Sequence, residues 1–120
     1  MKRFRMSACV CLVLGSLLAT GCTPLVKMHS AVTPVPRQDA GWVKRQESFN
    51  ARVAQGNVEL ILIGDSITHG WEGAGKDVWA KYYAKRNAVN LGIGGDRTQH
   101  VLWRLQNGNI KGIAPKAAVR

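Results

Sequence analysis

The chain has 120 residues, 46% of them hydrophobic, and a formal net charge of +10. Its length allows one small domain, because domains typically contain about 100–200 residues. The cations are scattered, without a block of about five or six like charges and without interleaved aromatic residues, and this argues against a nucleic-acid-binding protein.

The first 22 residues have the layout of an export signal. Three cations within residues 2–5 precede an apolar run over residues 6–19, which is shorter than the about 20 residues of a membrane span. The next letters, Ala-Thr-Gly-Cys at 19–22, resemble a bacterial lipobox, although alanine stands where leucine is most common. We therefore expect a lipoprotein signal peptide over residues 1–21, with an ordinary cleaved signal or an uncleaved anchor as alternatives.

Lipid attachment at Cys22 would place the protein in the bacterial cell envelope, on a membrane facing the periplasm or the exterior. Cleavage there would remove Cys9 and Cys11, so that no cysteine remains for a disulfide or a metal site. It would also remove three cations, which leaves 14 Lys and Arg against 7 Asp and Glu. The sequence assigns no oligomeric state.

The next segment predicts a tether followed by a folded domain. This segment has neither helical nor strand periodicity and contains Pro24, Pro34 and Pro36, as in an extended linker. We expect the lipidated cysteine and this tether to fill residues 22–40, and the domain to fill residues 41–120.

The domain begins with a predicted helix and a predicted strand. Trp42, Phe49 and Val53 share one helical stripe, and Gln-Gly-Asn at 55–57 should end the helix, because glycine readily takes the left-handed conformation. Residues 58–63 are apolar apart from one glutamate. Such a run is typical of a parallel strand that is covered on both faces.

Helices and strands then alternate to the end of the chain. Paired apolar residues over 78–83 predict a second helix. Residues 88–91 predict a second strand, and residues 117–119 predict the start of a third strand. A third helix, capped by Asp96 or Thr98, should lie between the last two strands. Three residues should form its buried face, with Gly108 at its end: Val101, Leu102 and Leu105. This order predicts a three-layer α/β domain with a parallel sheet, of which the chain would be the N-terminal part.

The first two predicted strands both end in unusual turns. Gly-Asp-Ser at 64–66 follows the first strand, and Gly-Ile-Gly-Gly-Asp at 92–96 follows the second. Adjacent parallel strands bring such ends together, where doubly wound sheets bind ligands. Ser66 would face this crevice, and backbone N–H groups of both turns could stabilise an oxyanion. The residues alone favour acyl transfer, with a serine that merely caps the next segment as the alternative.

Two blocks of this sequence resemble those of a known family. Ile-Gly-Asp-Ser-Ile-Thr at 63–68 resembles the first block of the SGNH (GDSL-type) hydrolases, and Asn-Leu-Gly-Ile-Gly-Gly-Asp-Arg-Thr at 90–98 their second. Residues 99–108, which contain Val-Leu-Trp-Arg-Leu, are similar to the branch of the platelet-activating-factor acetylhydrolase catalytic subunits. The resemblance covers residues 42–120 and implies a flavodoxin-like α/β/α fold, truncated here after the start of the third strand.

The resemblance implies a serine esterase that cleaves small, acetyl-like esters of lipid or carbohydrate through an acyl-enzyme. Ser66 is then the nucleophile, the backbone amides of Ser66 and Gly95 donate to the oxyanion, and neither a metal nor an organic cofactor is needed. The family's asparagine block and its Asp-x-x-His segment, which supplies the base, would follow Arg120. We therefore expect the chain as it stands to be inactive, because a serine without a base is a poor nucleophile.

Two alternatives to the esterase hypothesis come from other classes. One is a truncated or degenerate fragment without catalytic function. The other takes the glycine-rich second turn as a nucleotide phosphate loop. It is disfavoured because the chain lacks both a Gly-Lys-Ser/Thr and a G-x-G-x-x-G motif.

Other notable residues near the two blocks receive structural interpretations. Asp65 should bond loop amides rather than act as a nucleophile or a metal ligand, and Asp96 and Arg97 should form loop hydrogen bonds. His69 and His100 are tempting general bases, but the family takes its base from elsewhere. Trp71 and Trp79 are expected to pack against other residues, and Trp71 could also line the acyl pocket.

Overall fold

The computed structural model describes residues 28–120, so that the predicted signal peptide, the three cysteines and the start of the predicted tether lie outside the described part. Helices and strands alternate in the following order: α1 Ala40–Ala54, β1 Leu60–Gly64, α2 Ser66–His69, α3 Lys76–Tyr82, β2 Ala88–Gly92, α4 Thr98–Arg104 and β3 Ala117–Val119. Within residues 28–120, no helix has both the length and the apolar character needed to cross a membrane.

Helix α1 has the boundaries and the buried face that its sequence predicts. It begins at Asp39, whose Oδ1 accepts a hydrogen bond of 3.0 Å from the Trp42 amide. It ends before Gly56 and Asn57, which have φ values of +70° and +51°. Its buried apolar residues are those of the expected stripe: Trp42, Phe49 and Val53.

The three strands form one parallel sheet in the order β2-β1-β3. Strand β1 is central, and its register with β2 pairs Leu60 with Ala88 and Gly64 with Gly92, so that these two strands end at the same level. Strand β3 pairs with the first three residues of β1. The predicted parallel α/β fold is confirmed, and β3 has the boundaries expected from the sequence.

The core lies between α1 and one face of the sheet. Leu91 is fully buried there, and the rings of Trp42 and Trp103 pack with centroids 5.5 Å apart. The buried cluster also contains residues from both paired strands and their flanks: Phe49, Val58, Ile61, Val89 and Ile93. Strand β3 contrasts with this region, since all three of its residues are exposed.

Helix α4 departs from its prediction in two respects. Val101, Leu102 and Leu105 are only partly buried, whereas Arg104 is completely buried. The expected cap by Asp96 or Thr98 is also wrong: the cap residue is Arg97, and its amide donates to His100 Nδ1 at 3.0 Å. Asp96 does not cap the helix because its carboxylate is committed to an internal ion pair, described below.

The residues that precede α1 lie against α4. Ser30–Val32 form a short 3₁₀ turn that packs on this helix, and the Val35 amide donates to the Gln99 carbonyl at 3.2 Å. The part of the predicted tether that the structure describes is thus in contact with the domain. The domain boundaries at residues 40 and 41 stay predictions.

Candidate active site

The first turn presents Ser66 at the carboxyl end of β1. Asp65 starts α2, because its Oδ1 accepts a hydrogen bond of 3.0 Å from the Ile67 amide, as the structural interpretation of this carboxylate expected. Ser66 is exposed, and its hydroxyl makes no hydrogen bond to any of residues 28–120. The neighbouring Ile67 is 84% exposed. The serine is therefore accessible at the carboxyl end of the sheet.

The second turn follows β2 and is closed by a hydrogen bond of 3.2 Å from the Asp96 amide to the Ile93 carbonyl. Gly95 has a φ of +79°, a left-handed conformation that favours glycine over other residues. Gly95 is exposed, whereas Asp96 is buried. The turn thus presents backbone to the surface and sends its acidic side chain into the protein.

Glycines allow the two turns to touch. A Cβ on Gly92 would lie 2.4 Å from the backbone nitrogen of His69, and one on Gly64 would lie 2.1 Å from Thr68 Oγ1. A Cβ on Gly94 would lie 3.9 Å from the Ser66 Cβ, an ordinary contact distance. Helix α2 therefore sits directly on the end of β2, and the two turns lie side by side as the sequence predicted.

The backbone amides of Ser66 and Gly95 have no acceptor among residues 28–120. Both belong to exposed residues. Unpaired N–H groups at the surface of a crevice can donate to a negatively charged oxygen without first breaking an internal hydrogen bond. The site therefore offers a hydroxyl and two donors for an oxyanion.

The two histidines near the site accept hydrogen bonds from backbone amides. His69 Nδ1 accepts one of 3.2 Å from the Gly94 amide and so joins α2 to the second turn. His100 Nδ1 accepts from Arg97 at the start of α4. In both rings one nitrogen is engaged with the backbone, and neither ring is bonded to the Ser66 hydroxyl.

A buried ion pair behind the second turn escaped sequence reasoning. Asp96 accepts hydrogen bonds of 2.8 Å from Trp42 Nε1 and from Arg104 Nε, and the side chains of Asp96 and Arg104 are both fully buried. Arg104 Nη2 also donates to the Gly64 carbonyl at 3.4 Å, and its Nη1 donates to Asn109 Oδ1 at 2.8 Å. One guanidinium thus links the first turn to the second.

Burial lowers the pKa of Arg104, and the neighbouring Asp96 carboxylate raises it. The side chain remains a cation at neutral pH, because a guanidinium is not deprotonated in proteins. A signal for this contact existed in the sequence: Arg104 lies three residues after Val101, on the stripe expected to face the core. A charged residue at such a position needs a buried partner.

A second arginine approaches the same turn from the segment before α1. Arg37 Nη1 donates to the Gly94 carbonyl at 2.8 Å, and its Nε donates to Asp39 Oδ2 at 2.9 Å. Partial desolvation, the largest single influence, raises the pKa of Asp39. Hydrogen bonds from the Trp42 amide and from Arg37 outweigh it and hold that pKa below its usual value.

The two tryptophans after the first block pack as expected. Trp71 and Trp79 both contact the ring of Tyr83, with centroids 5.4 and 5.5 Å away. Among residues 28–120, no group of three or more His, Cys, Asp or Glu residues is placed to hold a metal ion.

Comparison with known proteins identifies relatives of this chain, although no protein-family model matches it. It is 38% identical over 95 residues to "Platelet-activating factor acetylhydrolase IB subunit alpha1" of Homo sapiens and of Rattus norvegicus, which covers 76% of the chain and 40% of each relative. Identity to the alpha2 subunit of Rattus norvegicus is 33% over 81 residues, or 68% of the chain and 34% of that relative. The chain thus spans less than half the length of these curated relatives. It is a homologue of the platelet-activating factor acetylhydrolase IB subunits, within the SGNH-type family that its motifs indicate.

Proposed function

We propose that the protein is a serine esterase that hydrolyses small acyl esters through an acyl-enzyme on Ser66. The observation that carries this proposal is the junction of the two turns, where an exposed serine hydroxyl lies beside two backbone amides without acceptors. The relatives are named acetylhydrolases, which favours an acetyl-sized acyl group. The substrate would be an acyl ester of a lipid or a carbohydrate.

In the proposed reaction, Ser66 Oγ attacks the ester carbonyl carbon while its proton passes to a base. The carbonyl oxygen becomes an oxyanion that accepts hydrogen bonds from the Ser66 and Gly95 amides. Collapse of this intermediate breaks the ester bond while the base returns the proton to the leaving oxygen, so that the alcohol departs and the acyl group stays on Ser66. Water then attacks the acyl-serine, releases the carboxylic acid and restores the hydroxyl.

The base is the part of this mechanism that residues 28–120 do not supply. No side chain among them accepts a hydrogen bond from Ser66 Oγ, and the Nδ1 atom of His69 is already bonded to the Gly94 amide. The family resemblance assigns the base to an Asp-x-x-His segment, a pattern that does not occur in residues 1–120. We propose that the complete active site takes its base from such a segment.

We further propose an envelope protein anchored through lipid on Cys22, in which the domain has the flavodoxin-like, three-layer form. Support for the anchor comes from the sequence motif around that cysteine. Support for the larger domain comes from β3, whose Val119 is 50% exposed although it belongs to a parallel sheet. Parallel sheets are almost always covered on both faces.

The test uses the polypeptide encoded by the full coding sequence, because the chain spans only part of its relatives. Hydrolysis of p-nitrophenyl acetate is compared between wild type, Ser66→Ala and Ser48→Ala. We expect Ser66→Ala to lower kcat at least about 10³-fold, the order of loss seen when a serine nucleophile is removed. Ser48 is a matched control, since it is exposed and its hydroxyl donates only to the Arg45 carbonyl of its own helix. Equal rates for wild type and Ser66→Ala would overturn the esterase proposal.

A second candidate is a degenerate, non-catalytic product of an esterase gene. It is favoured by the unpaired hydroxyl of Ser66, which has no base within residues 28–120. The coding sequence after Arg120 separates the two candidates: a Gly-x-Asn block and a later Asp-x-x-His in frame support the enzyme. A stop or a frameshift, together with residues 23–120 hydrolysing the ester no faster than their Ser66→Ala variant, supports the degenerate product.

A further inference from the structure

The contact between Arg37 and the second turn falls on the peptide unit that joins Gly94 to Gly95. Arg37 Nη1 donates to the Gly94 carbonyl oxygen at 2.8 Å. The Gly94 carbonyl and the Gly95 N–H belong to one planar, trans peptide unit, so they point in opposite directions. Holding the carbonyl toward the arginine therefore holds the N–H away from it.

This peptide unit is the central one of a β-turn, and its direction differs between type I and type II turns. Residues 93–96 form such a turn, with Gly94 and Gly95 as its central residues. Gly95 has a φ of +79°, as in a type II turn, in which this angle is about +80°. A type I turn would need a φ of about −90° there, and the central peptide would point the opposite way. With glycine at both central positions, side chains do not decide between the two.

Arg37 is itself held in place by several contacts. Its Nε donates to Asp39 Oδ2 at 2.9 Å, and its Nη1 lies 3.5 Å from Asp96 Oδ1. The hydrogen bond from Val35 to Gln99 fixes the backbone two residues earlier. The side chain is 27% exposed, so that water screens its charge only in part. A Cβ on Gly95 would lie 3.2 Å from Nη1, which shows how closely the guanidinium approaches the turn.

We propose that Arg37 is a positioning residue that selects the peptide orientation in which the Gly95 N–H faces the oxyanion. Its positive charge on the carbonyl side also polarises this peptide and strengthens the N–H as a donor. The inference rests on the proposed function, because Gly95 matters as a donor only if an oxyanion forms beside Ser66. It assigns a catalytic consequence to the segment before α1, which is a tether in the sequence prediction.

The kinetic test compares Arg37→Gln, Arg37→Lys and Arg37→Ala in the polypeptide encoded by the full coding sequence. Removing one oxyanion donor costs about 10²–10³ in kcat, so we expect misorientation of this donor in Arg37→Ala to cost about 10–100-fold. KM should stay within about twofold, since only the transition state loses a contact. Arg37→Lys, which keeps the charge and one donor, should recover part of the loss, and Arg37→Gln, without the charge, should recover less.

Arg52→Ala is the matched control. Arg52 also donates to a glycine carbonyl, that of Gly56 at 3.0 Å, but at the end of α1 that precedes β1. We expect its kcat to stay within about twofold of wild type. Thermal unfolding of each variant shows whether a loss of activity reflects a loss of folded protein. An unchanged kcat in folded Arg37→Ala would overturn the proposal.

A readout without catalysis keeps the inference separate from the proposed function. In ¹⁵N-labelled protein, the Gly95 amide resonance should move or broaden by exchange in Arg37→Gln and stay in place in Arg52→Ala. If wild type has no esterase activity while this change occurs, the proposed function fails but Arg37 still sets the turn. If the Gly95 resonance is the same in wild type and Arg37→Gln, the positioning role itself is wrong.

Discussion

The two turns of the candidate site are stabilised in different ways. The first is held mainly by its own residues: the Asp65 carboxylate accepts from the Ile67 amide, and the Asp65 carbonyl accepts from His69, with one longer bond from Arg104 to the Gly64 carbonyl at 3.4 Å. The second has one local hydrogen bond, from the Asp96 amide to the Ile93 carbonyl, and is otherwise held by distant residues. Its backbone carbonyls accept hydrogen bonds from arginines 57 and 47 positions earlier in the chain, Arg37 at Gly94 and Arg45 at Gly92.

The acidic residues of the two turns also differ in whether their partners are local or distant. Asp65 is partly exposed and bonds locally, whereas Asp96 is buried and bonds Trp42 and Arg104. A turn with local hydrogen bonds can form whenever its own residues are present. A glycine-rich turn with one local hydrogen bond, from the Asp96 amide to the Ile93 carbonyl, takes the rest of its shape from the surrounding fold, so its donors point correctly only when that fold is complete.

Among the variants that test this difference between the turns, Arg104→Met should have the largest effect on stability. The change removes the fully buried cation that bonds Asp96 and leaves only the partly exposed Arg37, 3.5 Å from the carboxylate; breaking a buried pair costs about 3–5 kcal/mol. We expect the free energy of unfolding, measured in urea, to fall by that amount. The exposed Arg86→Met serves as control and should change stability by less than about 0.5 kcal/mol. A loss for Arg104→Met no larger than this would show that the ion pair does not hold the second turn.

A smaller effect is expected where the turns touch. In Gly92→Ala the new Cβ would lie 2.4 Å from the His69 nitrogen and 2.7 Å from the Thr68 carbonyl carbon, so backbone must move. We expect unfolding to become easier by about 1–3 kcal/mol, as for other overpacked sites. Gly94→Ala is the matched control, because its Cβ would meet His69 and Ser66 only at 3.6 and 3.9 Å. Equal stability of the two alanine variants would argue against direct contact between the turns.

The smallest effect belongs to the locally held turn. Asp65→Ala removes a side-chain acceptor at the start of a four-residue helix, a change that costs about 1 kcal/mol. Asp65→Asn keeps an acceptor and should cost less. Amide hydrogen exchange at Asp96, whose amide closes the second turn, should be the same in both variants as in wild type. Faster exchange there in Asp65→Ala would show that the second turn depends on the first.

The same distinction explains how much the sequence predicts. The order of the strands, the stripe of α1 and the bond from Asp65 to a nearby amide depend on residues close in sequence, and the sequence predicts each of them. It does not predict the short helix α2 that Asp65 begins. The contacts of Arg37 and Arg104 join residues brought together by the sheet, so the sequence pattern identifies neither partner; it shows only that Arg104 lies on the stripe expected to face the core. The prediction of the buried face of α4 was wrong for the same reason, because a pattern of apolar residues does not indicate that an arginine is buried.

The sheet register has a consequence for the order in which the chain folds. Leu60 pairs with Ala88, 28 residues later, and with Ala117, 57 residues later. Each doubling of a closed loop costs about 0.6 kcal/mol of chain entropy. Forming β1–β2 first is therefore cheaper by about that amount than forming β1–β3 first. The pairing that aligns the two turns is thus the one that chain entropy favours as the earliest long-range contact of the sheet.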